Sequence, residues 1–428
     1  KFHADFGVNV AALPLHNIDQ IKCGNACRID WEVVCPHTKD EEVFVFGNPP
    51  YLGSSLQDVS QKNDMKYVFG DNNGWKKLDY ICNWFFLGSL YCKDAKSKCA
   101  FVSTNSITQG EQVAILWPIL FNAGVEISFA YSSFKWANNA KHNAGVTCII
   151  IGLQNINNIK ERILYNADNM KVVPFINPYL STTKILYMKP LSKSISGFPE
   201  MISGSKTNDF YNYMFDESER DSLIKQYPQA NRIVKRFVGA AEFIKGQIRY
   251  CLYICEEDVS LAYSIPEIAK RLENVRNERA KSKKIPTQRM AKYPYKYSED
   301  RFSCQECLFV PLTSSETRKY IPIGYLDKDT IVSNAGFAIY DCEIWIFGII
   351  TSYIHMLWNN TLAGKMEMRL RYSSSLSYNT FPFPSISDTK KSEIEEAATN
   401  VLLARENYPE KTLADLYDPE KMPEDLRA

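Results

Sequence analysis

Residues 42–51 read Glu42-Val43-Phe44-Val45-Phe46-Gly47-Asn48-Pro49-Pro50-Tyr51. The apolar run before Gly47 predicts a β-strand, because β-branched and aromatic residues favour strands and Gly and Pro end them. Asn48 and its neighbours then lie at the carboxyl end of this strand. Open α/β sheets bind ligands at that edge, so we expect a functional site there.

The surrounding sequence alternates short apolar runs with longer amphipathic ones. Further strands are predicted at residues 99–102 and 146–151, and helix-length runs lie at residues 78–91 and 113–121. This β-α-β-α-β order is typical of half of a doubly wound sheet. We therefore predict an α/β fold with a partial doubly wound, Rossmann-like sheet.

A change of composition indicates a domain boundary near residue 175. An Asn-rich stretch at residues 155–169 and a Pro-containing stretch at residues 173–178 interrupt the alternating pattern. We predict a first domain, an α+β domain and a small helical appendage, at residues 1–175, 176–386 and 387–428.

Three helices are predicted after this boundary, at residues 266–282, 351–362 and 390–407. The first of them has Ser264 as its expected start signal, followed by Pro and Glu in the first turn. The apolar run at residues 344–350 is predicted to be a buried core element, because it is far shorter than the roughly 20 residues of a membrane span.

The overall composition is that of an ordinary globular protein. The 428 residues are 45% apolar and 23% charged, with a net charge of +1. There is thus no global positive field, and any nucleic-acid contact must come from a local patch. The first residues have no signal-peptide pattern, so we expect a cytoplasmic protein.

The twelve cysteines lack the spacing of a disulfide framework, which favours free thiols in a reducing cytoplasm. Cys304-x-x-Cys307 could form a zinc site with Cys251-x-x-x-Cys255. The two pairs are far apart in sequence and lack the glycines of a zinc knuckle. We therefore predict no metal site.

The residue types in Asn48-Pro49-Pro50-Tyr51 suit the activation of an aromatic amine, whose delocalised lone pair makes it a poor nucleophile. The Asn48 side-chain oxygen and the Pro49 carbonyl can each accept one amine hydrogen and draw the nitrogen toward tetrahedral geometry. The prolines stiffen the loop and lack N–H donors, and Tyr51 offers a face for a flipped base. The alternative is a Pro-Pro turn without chemistry.

Asn-Pro-Pro-Tyr is the catalytic motif of amino-methyltransferases that use S-adenosylmethionine, and the flanking sequence resembles the MmeI-like group of type II restriction-modification enzymes. In that group a methyltransferase and a target-recognition domain share one polypeptide. The segments that carry the resemblance span nearly the whole chain in order, at residues 23–31, 47–53, 101–112, 318–324, 371–373 and 378–384.

This resemblance implies a bacterial, cytoplasmic enzyme that methylates N6 of a flipped adenine in double-stranded DNA. It implies that Asn48-Pro49-Pro50-Tyr51 is catalytic and that Asn25 and Ala26 lie where the family contacts the cofactor. Phe134 or Trp136 lies where the family places an aromatic side chain on the opposite face of the base. The sequence leaves open which of the two does so, and either could be a core residue. Asn25 could equally be an ordinary turn residue.

One departure from the family concerns the cofactor. Its glycine-rich G-x-G turn is not found, because no two glycines here are separated by a single residue. The residues before Cys23 also leave no room for the first strand and helix or for an amino-terminal nuclease. We therefore expect a fragment with an incomplete pocket, weak or no S-adenosylmethionine binding and no activity alone, cut from a parent that uses this cofactor.

A local excess of positive charge predicts contacts with DNA phosphates. Residues 261–300 contain ten Lys or Arg and five Asp or Glu. The last part of this segment also contains Tyr293, Tyr295 and Tyr297. Such cations supply the salt-sensitive part of DNA affinity, although a solvated helix face is the alternative. The predicted DNA-binding residues here and nearby are Arg276, Arg279, Lys283, Lys284, Arg289, Arg318 and Lys319.

Glu367-Met368-Arg369 is predicted to read sequence. In an extended segment residues two apart project on the same side. Glu367 could then accept from cytosine N4 while Arg369 binds guanine, with Arg371 as a further DNA contact. An ordinary surface salt bridge is the alternative.

Two other functions stay open at this point. The same catalytic motif serves enzymes that methylate a glutamine side chain in translation release factors, but those need no additional region of this size. The chain could also act as a DNA-specificity module without activity.

Overall fold

The computed structural model describes residues 21–135, 147–167, 169–366 and 369–427. No helix within these ranges is long and apolar enough to cross a lipid bilayer. The described residues divide into two units. The first holds most of the chain up to Leu186, and the second holds the chain from Tyr187 onward with short segments near residues 110 and 147.

The first unit is built around one mixed sheet. Its strands are β1 (Phe44–Gly47), β2 (Lys98–Thr104), β3 (Val125–Lys135), β4 (Thr147–Asn155), β5 (Arg162–Asn166) and β6 (Asn169–Val173). They lie in the order β1-β2-β4-β3-β5-β6. The pairs β1–β2 and β3–β5 are parallel, whereas β2–β4 and β5–β6 are antiparallel.

Helices separate the first strands along the chain, as the sequence predicts. They are α1 (Trp31–Val34), α2 (Val59–Phe69), α3 (Cys82–Cys92) and α4 (Glu111–Asn122), with 3-10 turns at Trp75–Lys77, Asn105–Thr108 and Ile156–Asn158. Both α2 and α3 fall between the parallel strands β1 and β2, which is the connection that parallel pairing requires. The α/β class is confirmed.

The sequence analysis missed β3 and misjudged the stretch that holds β5. Strand β3 was not predicted, although its apolar and aromatic residues alternate with Glu, Ser and Ala residues as in a half-buried strand. The Asn-rich stretch was expected to interrupt the sheet, yet it contains β5, which pairs with β3 through Phe129 and Ile163. The Ile, Leu and Tyr residues of β5 favour a strand despite the Asn residues around them.

Strand β1 lies at the edge of the described sheet. Its Gly47 pairs with Phe101 of β2, and Phe44 and Phe46 are 59% and 81% exposed. Because β1 and β2 are parallel, their carboxyl ends meet at the same edge. The segments that begin at Asn48 and Asn105 therefore emerge side by side.

Where the structure describes it, the second unit has eleven short strands in three sheets. They are β7 (Ile202–Ser203), β8 (Met214–Phe215), β9 (Val234–Val238), β10 (Tyr250–Leu252), β11 (Cys307–Pro311), β12 (Thr313–Ser314), β13 (Gly324–Leu326), β14 (Ile331–Val332), β15 (Gly336–Tyr340), β16 (Lys365–Met366) and β17 (Arg369–Arg371). The sheet orders are β14-β9-β10-β8, β13-β11-β15-β7 and β12-β17-β16.

Ten helices of the second unit lie within the described residues. They are α5 (Glu217–Gln226), α6 (Ala240–Lys245), α7 (Val259–Ser264), α8 (Pro266–Ala280), α9 (Ile285–Arg289), α10 (Ile344–Thr351), α11 (Tyr353–Leu362), α12 (Asp388–Glu406), α13 (Leu413–Leu416) and α14 (Glu424–Arg427). Short 3-10 turns occur at Pro228–Arg232, Glu256–Asp258 and Met290–Lys292, and a π-turn at Ser374–Tyr378.

Helix α8 confirms the predicted helix at residues 266–282. Its buried residues are Ile268, Leu272, Val275 and Arg279, the spacing of one helix face. Ser264 is not its start signal, because Ile265 holds the N-cap position without a side-chain cap. The rigid Pro266 in the first turn accounts for the start at this residue.

The predicted helix at residues 390–407 is present as α12, and the structure adds what its apolar face contacts. Ile394, Val401 and Leu402 pack against the buried core that contains Phe347 of α10. Ala398 is buried in the same core. The carboxy-terminal helix therefore completes the interior of the second unit.

Candidate functional site

The Asn48-Pro49-Pro50-Tyr51 segment follows β1 directly. Asn48 and Pro50 are exposed, whereas Pro49 and Tyr51 are half-buried. Within the described part of the chain, no hydrogen bond engages the Asn48 side chain or the Pro49 carbonyl. Both oxygen acceptors are therefore open to a ligand.

A cavity of about 590 Å³ lies beside this segment. Asn48 and Pro49 line it together with Ala26, so the structure brings part of the predicted catalytic and cofactor residues to one hollow. The volume is in the range of pockets for small ligands. Aromatic residues that line it are Trp31, Phe44, Phe46, Trp84, Tyr91 and Phe101.

Tyr51 is fixed at its hydroxyl end. Burial raises the pKa of this phenol, and a hydrogen bond with Cys148 on β4 raises it further. The phenol therefore stays neutral at physiological pH. Tyr51 is half-buried and is not among the residues that line the cavity, so its stacking role stays a prediction.

The turn at Asn25 is held through its side-chain amide. Asn25 Nδ2 donates to Asp64 Oδ2 at 2.9 Å, and Asn25 Oδ1 accepts from the Cys27 N–H at 2.9 Å. The next carbonyl, that of Ala26, accepts from Trp31 Nε1 at 3.0 Å. Ala26 thus faces the cavity while the Asn25 amide is engaged with Asp64.

Sequence reasoning missed two buried carboxylates of this unit. Burial raises the pKa of Asp64, but hydrogen bonds from Asn25, Arg28 and Tyr80 outweigh burial and hold the pKa below its ordinary value. For Asp79, burial dominates and raises the pKa. The sequence pattern that could have identified Asp79 is a charged residue between apolar and aromatic ones, as in Leu78-Asp79-Tyr80-Ile81.

Of the two aromatic candidates for base stacking, only Phe134 lies within the described residues. Phe134 lies near the end of β3, half-buried, with its ring centre 5.5 Å from that of Tyr131 in an edge-on arrangement. Trp136 lies outside the described residues. The assignment of a base-stacking role to either residue stays a prediction.

The predicted phosphate-binding residues near α8 differ in how available their charges are. Lys283, Lys284 and Arg289 are exposed, and no ion pair engages them within the described ranges. Arg276 is half-buried and pairs with Glu273 at 2.6 Å. The first three are therefore the better placed to meet an anion.

Arg279 contradicts its prediction, because its guanidinium is used inside the protein. The residue is 0% exposed. It donates at 2.9–3.1 Å to four main-chain carbonyls, those of Thr207, Asn208, Tyr293 and Lys296. A phosphate cannot reach it, and the sequence alone could not show that it lies on the buried face of α8.

Arg318 and Lys319 also differ. Burial lowers the pKa of the half-buried Arg318, and one of its nitrogens donates to Ser314 Oγ at 3.5 Å. Lys319 is exposed, with its ammonium 5.0 Å from the centre of the Tyr353 ring. Lys319 presents its charge to solvent more fully than Arg318 does.

The predicted joint action of Glu367 and Arg369 stays a prediction, because Glu367 lies outside the described residues. On either side of it, β16 and β17 are antiparallel, with Met366 opposite Arg369. Arg369 and Arg371 are exposed on β17, where Asn359 Nδ2 donates to the Arg371 carbonyl at 3.2 Å.

The four-cysteine group considered as an alternative, at Cys251, Cys255, Cys304 and Cys307, does not come together among the described residues. Cys255 instead lies near Glu257 and Asp258, with ligand atoms within 4.8 Å of one another. Asp258 is already paired with Arg232 at 2.8 Å. An acidic cluster of this kind is common without a metal ion.

Comparison with known proteins gives three consecutive matches to family models. The MmeI DNA-methyltransferase domain matches residues 1–166, the MmeI target recognition domain matches residues 182–385, and the MmeI C-terminal domain matches residues 386–428. The chain belongs to the MmeI family. The resemblance inferred from sequence is confirmed.

Two relatives show how much of an MmeI-family protein is present. A Bacillus subtilis (strain 168) protein described as DNA methyltransferase A is 43% identical over 415 residues, which are 97% of this chain and 47% of that protein. The solved structure of the Type IIL restriction-modification enzyme MmeI in complex with DNA is 38% identical, with a TM-score of 0.91. That match covers 99% of this chain and 57% of the MmeI chain. The chain thus spans about half the length of these relatives.

The family models and the division into compact units place the boundary between the first two domains at different residues. The family models leave a gap between residues 166 and 182, and the division into compact units falls after Leu186. The boundaries at residues 175 and 386 stay a prediction.

Proposed function

We propose that the protein containing this chain is a site-specific DNA methyltransferase that transfers a methyl group from S-adenosylmethionine to N6 of an adenine. The observation that carries the proposal is the open acceptor pair at Asn48 and Pro49. These residues line a cavity together with Ala26, within the part of the chain matched by the MmeI DNA-methyltransferase domain.

The proposed role of the two acceptors follows from the chemistry of the amine. An adenine amino group that donates one hydrogen to Asn48 Oδ1 and the other to the Pro49 carbonyl has its lone pair turned toward the methyl donor. During methyl transfer the two acceptors would keep the amine nitrogen in this orientation, and the amine would give up one proton to solvent. Acceptors already in place need little reorganisation during this step.

The chain's contribution to cofactor binding would be one wall of the pocket. Gly24, Ala26, Ile29 and Gly47 are small or apolar residues that line the cavity. These residues fit a nucleoside-type ligand. Bound S-adenosylmethionine would supply a methyl group on a positively charged sulfur.

Double-stranded DNA is the proposed partner, with the second unit as its reader. The match of residues 182–385 to a target recognition domain supports DNA as the substrate over a protein glutamine. Exposed Lys283, Lys284 and Arg289 offer cations for phosphates. Arg369 and Arg371 offer guanidinium groups for base edges.

The proposed base-reading role of Glu367 and Arg369 has a direct test. Exchanging their charges, with Glu367→Lys and Arg369→Asp together, should change the preferred base pair at one position of the site, because donor and acceptor trade places. Sequencing of methylated DNA after treatment with each protein measures this. An unchanged site with reduced overall activity would contradict the assignment.

The experiment for the function itself uses the full-length protein. Purified protein is incubated with labelled S-adenosylmethionine and mixed-sequence duplex DNA, and the DNA is digested to nucleosides to identify the methylated base. We expect N6-methyladenine. Modified cytosine, or modified protein with unmodified DNA, would overturn the proposal.

Asn48→Ala is the matched variant for this experiment. It removes one acceptor without touching the main chain, so transfer should fall to background while affinity for duplex DNA stays within a few-fold. Unchanged transfer would remove Asn48 from the mechanism. A protein that binds one DNA sequence without any transfer would be a specificity module instead.

A further inference from the structure

Asp79 and Tyr80 are two consecutive buried residues that have no part in the mechanism proposed above. They are 4% and 7% exposed, and both lie in the first unit between α2 and α3. Each contacts the main chain directly after the catalytic segment. Tyr80 also contacts the carboxylate that holds Asn25.

The first set of contacts fixes the backbone of Leu52, the residue after Tyr51. The Leu52 N–H donates to Asp79 Oδ1 at 2.9 Å, and the Leu52 carbonyl accepts from the Tyr80 N–H at 3.0 Å. Gln57 Nε2 donates to the same carbonyl at 3.0 Å. Both main-chain polar groups of Leu52, its N–H and its carbonyl, are therefore bonded to buried partners.

The second set of contacts leads to the turn at Asn25. The Tyr80 hydroxyl donates to Asp64 Oδ2 at 2.8 Å. Asp64 also accepts from Asn25 Nδ2 at 2.9 Å and from Arg28 Nε at 2.8 Å. Asp64 is itself 4% exposed, so these bonds form where water competes little.

A continuous path of hydrogen bonds thus runs from the end of the catalytic segment to the turn that carries Ala26. Its links are Leu52, Tyr80, Asp64 and Asn25. Asn48 and Pro49, shortly before Leu52, and Ala26, next to Asn25, line the same cavity, in which methyl donor and acceptor amine would meet. Reacting atoms must be held about 3–3.5 Å apart, and an error of about 1 Å can cost about a hundredfold in rate.

We propose that Asp79 and Tyr80 are positioning residues, which set the distance between the acceptor amine and the transferable methyl group by tying Leu52 to the turn at Asn25. This inference rests on the proposed function. Neither residue needs to touch a substrate, because Asp79 acts through the Leu52 N–H and Tyr80 through Asp64.

The test measures methyl transfer in a single turnover, with the full-length protein saturated with S-adenosylmethionine and duplex DNA. Tyr80→Phe keeps the ring, which packs edge-on against Trp84 at 5.4 Å, and removes only the hydroxyl. We expect the single-turnover rate to fall about tenfold or more, with DNA affinity unchanged. Asp79→Asn should slow the same step.

The control is Tyr378→Phe, which removes another buried tyrosine hydroxyl, one that donates to the Pro199 carbonyl at 2.9 Å in the second unit. Its single-turnover rate should stay within twofold of the unchanged protein. If Tyr80→Phe and Tyr378→Phe lose equal stability and equal rate, the effect is general destabilisation and the inference is wrong.

A double-variant comparison keeps the inference testable if one substitution harms folding. Asp64→Asn interrupts the same path from the other side, so combining it with Tyr80→Phe should slow transfer no more than the slower single variant does. Multiplied effects would overturn the proposed path. Absence of transfer by the unchanged protein would instead overturn the proposed function, which makes the two failures distinguishable.

Discussion

Arg279 illustrates, at the level of a single residue, that a positive charge can serve the interior of a protein. Its guanidinium bonds four main-chain carbonyls that have no helix or strand partner of their own. Those carbonyls belong to two loops, near Thr207 and near Lys296. Arg279 therefore stabilises the arrangement of these loops around α8.

Replacing Arg279 with Met should destabilise the second unit. The change removes the buried guanidinium that donates to the carbonyls of Thr207, Asn208, Tyr293 and Lys296, and each such loss costs about 1–3 kcal/mol, so we expect at least ~3 kcal/mol. Urea unfolding followed by tryptophan fluorescence measures it. Arg276→Met is the control, since an ion pair at the surface contributes little. Equal losses in the two variants would contradict this role for Arg279.

His355 carries a pH-dependent part of the stability. His355 is fully buried, and its Nε2 lies 2.7 Å from the Tyr372 hydroxyl. Among the described residues, none forms a hydrogen bond with its Nδ1. Burial lowers the pKa of His355 to about 3. Since the unfolded chain takes up this proton below about pH 6.5, stability is lost as the pH falls from about 6.5 toward 3.

At pH 5 we expect His355 to lower the free energy of unfolding by about 2 kcal/mol relative to its value at pH 7.5. His355→Gln keeps a polar partner for Tyr372 but does not titrate in this range. Free energies of unfolding for both proteins at the two pH values measure the difference. If both proteins lose the same stability on acidification, His355 is not the titrating group.

At the scale of elements, the sequence predicts best where a local pattern decides the structure. The strand before Asn48 and the helices α8 and α12 follow from apolar spacing and from Gly and Pro positions. β3 and β5 were missed although both contain residues that favour strands, because they lie beside stretches whose Asn and Ser content suggested the edge of a domain.

The contact between α10 and α12 gives a prediction at this scale. A Cβ added at Gly348 would lie 2.9 Å from Ile394 Cγ2 and 3.2 Å from Ala398 Cβ. Ala favours a helix over Gly by about 1 kcal/mol, but overpacking costs about 1–3 kcal/mol. We expect Gly348→Ala to destabilise the protein by roughly 1 kcal/mol on balance, as measured by thermal unfolding.

The Ile394→Ala background tests the cause of this loss. Removing the Ile394 side chain relieves the shortest contact of the new methyl group, although the Ala398 Cβ and the Ile394 carbonyl stay close, so Gly348→Ala should then be less harmful. If Gly348→Ala is equally harmful in both backgrounds, the close approach of the two helices is not the reason. A stabilising effect in the unchanged protein would contradict the predicted packing.

At the scale of the whole molecule, charge balance limits how DNA can be held. With 50 basic and 49 acidic residues, attraction to DNA must come from cations left unpaired on the surface. The sequence located the basic segment but could not separate Lys283, Lys284 and Arg289 from Arg276 and Arg279, because burial and ion pairing depend on the fold.

Substituting Lys283, Lys284 and Arg289 together with Ala should therefore weaken binding equally on all DNA sequences and reduce its dependence on salt. Each phosphate contact contributes about 0.9 to the slope of log affinity against log salt, so the slope should fall by up to about 3. Titrations of duplex DNA at several salt concentrations measure it. Lys281→Ala is the matched control, because Lys281 lies on the same segment but pairs with Glu278 at 2.9 Å. An unchanged slope in the triple variant, or a change just as large per residue in the control, would mean that DNA is held by another surface of the protein.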